Sequence, residues 1–156
     1  MDEITLKPMT RELCHEYFMK FENDPDVFMD MTRFSKYQYD KQKVDEYFDR
    51  HQTTNRVVLM IMKSDHPIGE IHLKDIDRDT NECTLGIHMQ NDSYKGKGYG
   101  TVAEKLAVQY AFDVLGMKAV NADIVIKNTR SQHVAEKSGF KYVKSEGIFK
   151  YYRIEK

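Results

Sequence analysis

The sequence predicts a single α/β domain in which a mixed, mostly antiparallel sheet of about seven strands is combined with about four helices. Three observations predict it. Residues 56–89 carry three apolar strand patterns joined by short polar turns, an antiparallel meander. Residues 95–139 then switch to a glycine-rich turn, an amphipathic helix, a strand and another helix. Residues 140–154 close the chain as a hairpin across Glu146-Gly147.

In chain order, Glu3 to Lys7 alternates polar and apolar, as a first strand does. Thr10 caps a helix expected to run to about Glu22, with Leu13, Tyr17 and Phe21 at a spacing of four. Asn23-Asp24-Pro25-Asp26 breaks it, and Phe28 to Tyr39 is irregular and rich in Met, Phe and Tyr. Asp40 caps a second helix bearing Val44, Tyr47 and Phe48 and ending near Gln52. Arg56–Met62, Ile68–Ile76 and Cys83–Met89 are the meander strands, with turns at Ser64-Asp65-His66-Pro67 and Asp77–Asn81. A helix from about Gly100 to Leu115 carries Val102, Leu106, Tyr110 and Val114 on one stripe, with Ala103, Ala107 and Ala111 beside it. Gly116 ends it, Ala119 to Ile126 is a strand, and Asn128 or Thr129 starts a helix ending at Ser138-Gly139.

The bulk numbers exclude several function classes. The 156 residues suit one domain, and 40% hydrophobic with 31% charged residues suits a soluble chain with a real core. No apolar run approaches the ~20 residues of a membrane span. The first residues lack a signal peptide's apolar segment, so a cytoplasmic location is expected. A net charge of −1 gives no basic surface for nucleic acid as the main ligand. Cys14 and Cys83 make no metal framework and are expected as free thiols; no metal site is expected.

Lys95-Gly96-Lys97-Gly98-Tyr99-Gly100-Thr101 stands after a strand and before a helix. Its glycines permit positive φ and close approach of a ligand to the backbone. Successive amides and the helix start make an anion cradle. Thr101 adds a hydroxyl, and Lys95 and Lys97 add charge. A Walker loop needs GxxxxGK[ST], and the chain has no Gly-Lys-Ser or Gly-Lys-Thr. A dinucleotide fingerprint needs GxGxxG opening a βαβ unit, whereas the spacing here is GxGxG after a meander.

The Lys95–Gly100 run resembles the [Arg/Gln]-x-x-Gly-x-Gly/Ala pyrophosphate motif of the GNAT N-acetyltransferase superfamily, with Lys first. Asn128-Thr129-Arg130-Ser131 followed by Glu136-Lys137-Ser138-Gly139-Phe140 is similar to the N-x-x-S…E-K-x-G-F block of its RimL-like branch. That branch includes ribosomal-protein and spermidine acetyltransferases. The resemblance implies helices on both faces of the sheet and central strands that splay. It implies acetyl-coenzyme A as cosubstrate, with Lys95 through Thr101 (Gly96, Lys97, Gly98, Tyr99 and Gly100 between them) on the pyrophosphate and Ile87, His88 and Met89 along the pantetheine arm. A backbone N–H there, that of Met89, would hold the oxyanion. Asn128 would bond the pantetheine, cap its own helix, or do both.

The chain also departs from the family pattern. The general-acid tyrosine of many relatives is replaced by Ala135, and the strand glutamate of others by Thr84. The resemblance offers Ser131 as donor to the leaving sulfur; an ordinary first-turn serine touching its own backbone is the other reading. His88 and Glu82 share a strand face with Thr84. Histidine titrates near ~6.5, which suits a base, and a packed strand histidine is the alternative. Glu82 reads either as a substrate contact or as a solvated edge carboxylate. The final hairpin is shorter than in the RimL-like branch.

The acceptor is expected over the first helices and residues 28–39, where Phe34 and Tyr37 stand among Glu22, Asp24, Asp26 and Asp30. Aromatics with acids suit a cationic amine: a peptide N-terminus, a lysine or a polyamine. A core-packing loop is the alternative. Nine methionines suit adaptable packing or a homodimer surface. A catalytically silent acyl-coenzyme A sensor or scaffold, and a mononucleotide binder, are the competing function classes.

Overall fold

The computed structural model describes residues 3–22 and 36–156. Along these the order is β1 (Ile4–Pro8), α1 (Arg11–Met19), α2 (Lys41–Arg50), β2 (Val57–Lys63), β3 (His66–Asp77), β4 (Glu82–Met89), α3 (Tyr99–Asp113), β5 (Ala119–Val125), α4 (Thr129–Lys137), β6 (Lys141–Glu146) and β7 (Phe149–Glu155). The strands form one seven-stranded sheet in the order β1-β2-β3-β4-β5-β7-β6. Every neighbouring pair is antiparallel except β4 and β5. The expected mixed sheet and element order are therefore present.

Local chemistry sets the boundaries. The Thr10 hydroxyl accepts from the Leu13 amide at 3.2 Å and starts α1. The Asp40 carboxylate accepts from the Lys43 amide at 3.2 Å and starts α2. The first helix stops at Met19, short of the expected Glu22, because the Glu22 amide donates to the Gln90 carbonyl at 2.8 Å and draws the chain toward the end of β4. The first meander turn is tighter than expected. Lys63 pairs with His66, so only Ser64 and Asp65 turn, with Ser64 at φ 56°. Pro67, which has no N–H to donate, sits opposite Met62 where the register shifts.

The sheet carries a core on each face. One contains Leu59, Ile61, Ile71, Leu73, Leu85 and Val120 with Ala103, Ala107 and Ala111 of α3. The other contains Val58, Met60 and Met62 with Cys14, Tyr17 and Phe18 of α1 and Val44 of α2. Strand alternation divides the side chains between the two. Both cysteines are buried free thiols, Cys14 and Cys83. The buried stripe of α3 is the alanine one, whereas Val102, Leu106 and Val114 are exposed. Small side chains let the helix axis approach the sheet, and a larger residue at Ala107 would overpack that contact by ~1–3 kcal/mol.

Candidate active site

The site begins where β4 and β5 part. They pair only at Glu82–Ala119, Cys83–Val120 and Thr84–Asn121. Beyond this, β4 continues to Met89 on β3, and β5 continues to Val125 on β7. A gap thus opens in the middle of the sheet. The Gln90 amide donates to the Ile68 carbonyl at 2.8 Å. By ladder alternation, the even residues Gly86 and His88 face β3, and the amides of Ile87 and Met89 turn toward the gap.

Glu82 closes the paired end of this fork. Arg153 Nη1 and Nη2 donate to its two oxygens at 2.6 and 3.1 Å, and Asn121 Nδ2 donates at 3.2 Å. The Arg153 and Asn121 hydrogen bonds hold the Glu82 carboxyl below the usual glutamate range. The carboxylate of Glu82 is engaged by β5 and β7, and Glu82 does not line the cavity described below.

The glycine turn lies at the open end. A 3₁₀ turn over Asp92–Tyr94 is fixed by the Asn91 side chain, which accepts from the Ser93 amide at 2.9 Å. Gly96 and Gly98 then take φ +74° and +83°, left-handed conformations that disfavour any side chain. Gly98 is the N-cap of α3 and supplies no side-chain cap. The first α3 bond runs from the Val102 amide to the Gly98 carbonyl at 3.2 Å. The amides of Tyr99, Gly100 and Thr101 therefore have no intrahelical acceptor. Of the described α-helices, α1, α2 and α4 begin on a side-chain cap and α3 does not.

These parts enclose a cavity of about 480 Å³. Its wall brings together Ile87, His88, Met89, Lys95, Gly96, Gly98, Tyr99, Gly100, Thr101, Asn128 and Ser131. Lys97 is exposed and outside that wall. The wall also holds residues to which the sequence pattern assigned no site role: Phe21, Tyr94, Arg130, His133, Val134 and Lys137. Four of them repeat at helical spacing along α4, a face the sequence pattern already carried. Lys95, Arg130 and Lys137 make the turn's end of the cavity basic, with Lys95 Nζ also 3.0 Å from Asp92. Close packing of α3 on α4 sets the far wall, where a Cβ on Gly100 would lie 3.4 Å from Val134 Cγ1.

Asn128 caps α4 by accepting from the Ser131 amide at 3.1 Å. The cap uses only its Oδ1, so its Nδ2 is a separate donor at the cavity wall. Tyr37 stands outside the main cavity. It lines a second hollow of about 390 Å³ with Phe18, Lys43, Val44, Glu46, Tyr47 and Arg50, and meets Phe21 edge-on with ring centroids 5.1 Å apart. Among the described residues, that hollow is lined by the bases Lys43 and Arg50 and the acid Glu46. Phe34, Asp24, Asp26 and Asp30 lie outside the described residues.

A split sheet with an uncapped glycine turn at its mouth can take an anion at the turn and an extended chain along β4. The sequence profile of the acetyltransferase (GNAT) domain matches residues 3–141. The Bacillus subtilis (strain 168) protein YjcK, named a probable N-acetyltransferase, is 27% identical over 78% of this chain and 67% of its own. A Vibrio cholerae structure described provisionally as a ribosomal-protein-serine acetyltransferase superposes with a TM-score of 0.76 at 12% identity, covering 100% of this chain and 95% of that one. A dodecameric spermidine N-acetyltransferase from Vibrio cholerae superposes at 0.71 with 16% identity, covering 97% and 93%. The chain belongs to the GNAT acetyltransferase family, and its enzyme class is N-acetyltransferase. No helix among the described residues is long and apolar enough to cross a membrane.

Proposed function

We propose that the chain transfers the acetyl group of acetyl-coenzyme A to a primary amine by direct attack in a ternary complex. One observation carries this reading: the amides of Tyr99, Gly100 and Thr101, which have no intrahelical acceptor, stand at the same cavity as the β4 edge of Ile87 and Met89. An anion and an extended amide chain are what such a pair of surfaces satisfies together. The Gly96–Thr101 backbone, with Lys95, Arg130 and Lys137 nearby, suits the pyrophosphate. The β4 edge suits the pantetheine arm, and the Asn128 Nδ2 suits one of its carbonyls.

The acceptor is an ammonium ion at neutral pH and must shed a proton before it attacks. His88, exposed on the wall of the cavity, is the base in this reading. The free amine then adds to the acetyl carbonyl, and the Met89 amide holds the oxyanion. Collapse breaks the carbon–sulfur bond. The second nitrogen proton ends on the departing sulfur, with the Ser131 hydroxyl as donor to the thiolate. Holding both reactants in one cavity supplies much of the acceleration. The acceptor class is a peptide N-terminus, a lysine or a polyamine, entering from the side of α1 and α2.

The test is thiol release from acetyl-coenzyme A with a panel of amines. Amine-dependent release is expected. Tight coenzyme A binding with no turnover on any amine would replace this reading with a silent acyl-coenzyme A module.

A further inference from the structure

Directly behind His88 lies a buried polar cluster for which the acetyl-transfer reading has no use. Glu70 on β3 is the register partner of His88 on β4, and its neighbour on the same face is His72. Glu70 and His72 are 4% and 6% exposed, among the few buried charged or polar residues. The Tyr47 hydroxyl of α2 donates to both Glu70 oxygens, at 3.0 and 3.1 Å. The guanidinium of Arg56 has only donors, so its Nη1–H, 2.8 Å from His72 Nδ1, makes that nitrogen the acceptor. The ring proton of a neutral His72 then sits on Nε2, facing Glu70 Oε1 at 3.2 Å and the Tyr47 oxygen at 3.1 Å. The ring of His72 meets that of His88 edge-on, with centroids 6.2 Å apart.

A buried carboxylate needs such partners to stay ionised. Burial pushes the Glu70 carboxyl up, but the His72 hydrogen bond, the His88 ring and the Tyr47 hydroxyl outweigh it and hold the group below the ordinary glutamate range. The groups facing Glu70 are Cys14 and Tyr17 on α1, Tyr47 on α2, His51 at the C-cap of α2, Arg56 before β2, His72, and His88. Beyond the effect of burial, Glu70 pushes Cys14, Tyr17 and Tyr47 further up, so its charge is felt across this face. The Tyr17 hydroxyl, for its part, donates to the His88 carbonyl at 3.3 Å and fixes the backbone that carries the ring.

We propose that Glu70 is a positioning residue for acetyl transfer: its buried carboxylate is a fixed negative charge that stabilises the His88 imidazolium formed when His88 takes the proton of the incoming ammonium. The proton stays on His88, and Glu70 remains ionised throughout. Tyr47 and His72 hold the carboxylate in place, and Arg56 sets the His72 tautomer. This rests on the reading of His88 as the base. An anion close behind a histidine raises its proton affinity, the direction a base working on an ammonium requires.

The experiment is an NMR titration of His88, assigned by its loss in His88→Gln, alongside the pH profile of kcat/KM. In Glu70→Gln the His88 midpoint is expected to fall by about 0.5–1 unit. The acid limb of kcat/KM should move down by the same amount, with a plateau lowered roughly threefold to tenfold. Tyr47→Phe keeps the carboxylate and should leave the His88 midpoint in place. Coupling is reciprocal, so the Glu70 carboxyl in His88→Gln, a change at an exposed side chain, should titrate higher than in the wild type. This second arm holds even if Glu70→Gln fails to fold. Unmoved midpoints in both arms overturn the role of Glu70, whatever His88 does. A moved midpoint with His88→Gln at wild-type kcat overturns the base reading, and the proposal with it.

Discussion

Arg153 grips both oxygens of Glu82, at 2.6 and 3.1 Å, at the end of the fork where β4 and β5 still pair. The contact spans 71 residues of sequence and joins β7 to β4 across Asn121 of β5. Bidentate geometry makes it stronger than an ordinary surface pair, although both side chains are about a third exposed. Arg153→Gln should cost ~1 kcal/mol in urea unfolding at pH 7. The Glu82 carboxyl is held below its ordinary value, so the stabilisation is present above the unfolded glutamate pKa and fades as pH falls through the folded one. The difference between wild type and variant should therefore shrink in acid. A constant difference from pH 7 down to pH 3 would count against the clamp.

A second prediction concerns Glu104, 2% exposed on α3, whose Oε1 has no hydrogen-bond partner among the described residues. Burial pushes this carboxyl up to about 8 from an ordinary 4.5, with a Ser138 hydrogen bond opposing. A raised acid is neutral in the folded protein where it is ionised in the unfolded one. Stability is thus fully present below about 4.5 and is lost as pH rises through about 8. At ~1.4 kcal/mol per unit the loss is on the order of 4 kcal/mol. Glu104→Gln should remove most of that slope, measured as ΔG of unfolding between pH 5 and pH 8.5. Parallel curves for the two proteins would refute the assignment.

Ser131 gives a separable pair of effects. Its amide, which Ala also provides, is what the Asn128 cap uses. Ser131→Ala should leave the melting temperature unchanged and lower kcat by roughly tenfold, with the KM for acetyl-coenzyme A kept. Asn128→Ala should cost ~1 kcal/mol of stability through the lost cap and also weaken coenzyme A binding. An unchanged kcat in Ser131→Ala would leave that serine a helix residue only.

The two glycines of the α3 start should diverge. Gly100 lies within the helix, where an added Cβ meets Val134 at ordinary contact distance. Gly100→Ala should bind coenzyme A as the wild type does and gain up to ~0.5–1 kcal/mol from helix propensity. Gly98 holds φ +83°, so any side chain strains the turn. Loss of binding in Gly100→Ala would mean that the α3 start tolerates no added atom at all.

Much of the fold was legible because it is local. The meander, the Thr10 and Asp40 caps and the glycine turn each follow from a few adjacent residues. The family resemblance placed Ile87–Met89 and the glycine turn at one site, and they do line one cavity apart from Lys97. What the sequence hid is long-range. Nothing near Glu82 signals Arg153, and nothing near His88 signals Glu70 and His72 packed behind it, since those contacts exist only once strands pair. Along α3, both apolar stripes read alike in a helical pattern. The sheet selected the alanine one because only small side chains allow close approach.

The central claim is that the uncapped α3 start and the β4 edge together hold acetyl-coenzyme A. Calorimetric titration of coenzyme A into wild type and Gly98→Val, with folding checked by circular dichroism, tests it most directly. The account predicts one site per chain in the wild type and at least about a hundredfold weaker binding in the variant, ~2.7 kcal/mol or more. Equal affinities in two folded proteins would contradict it.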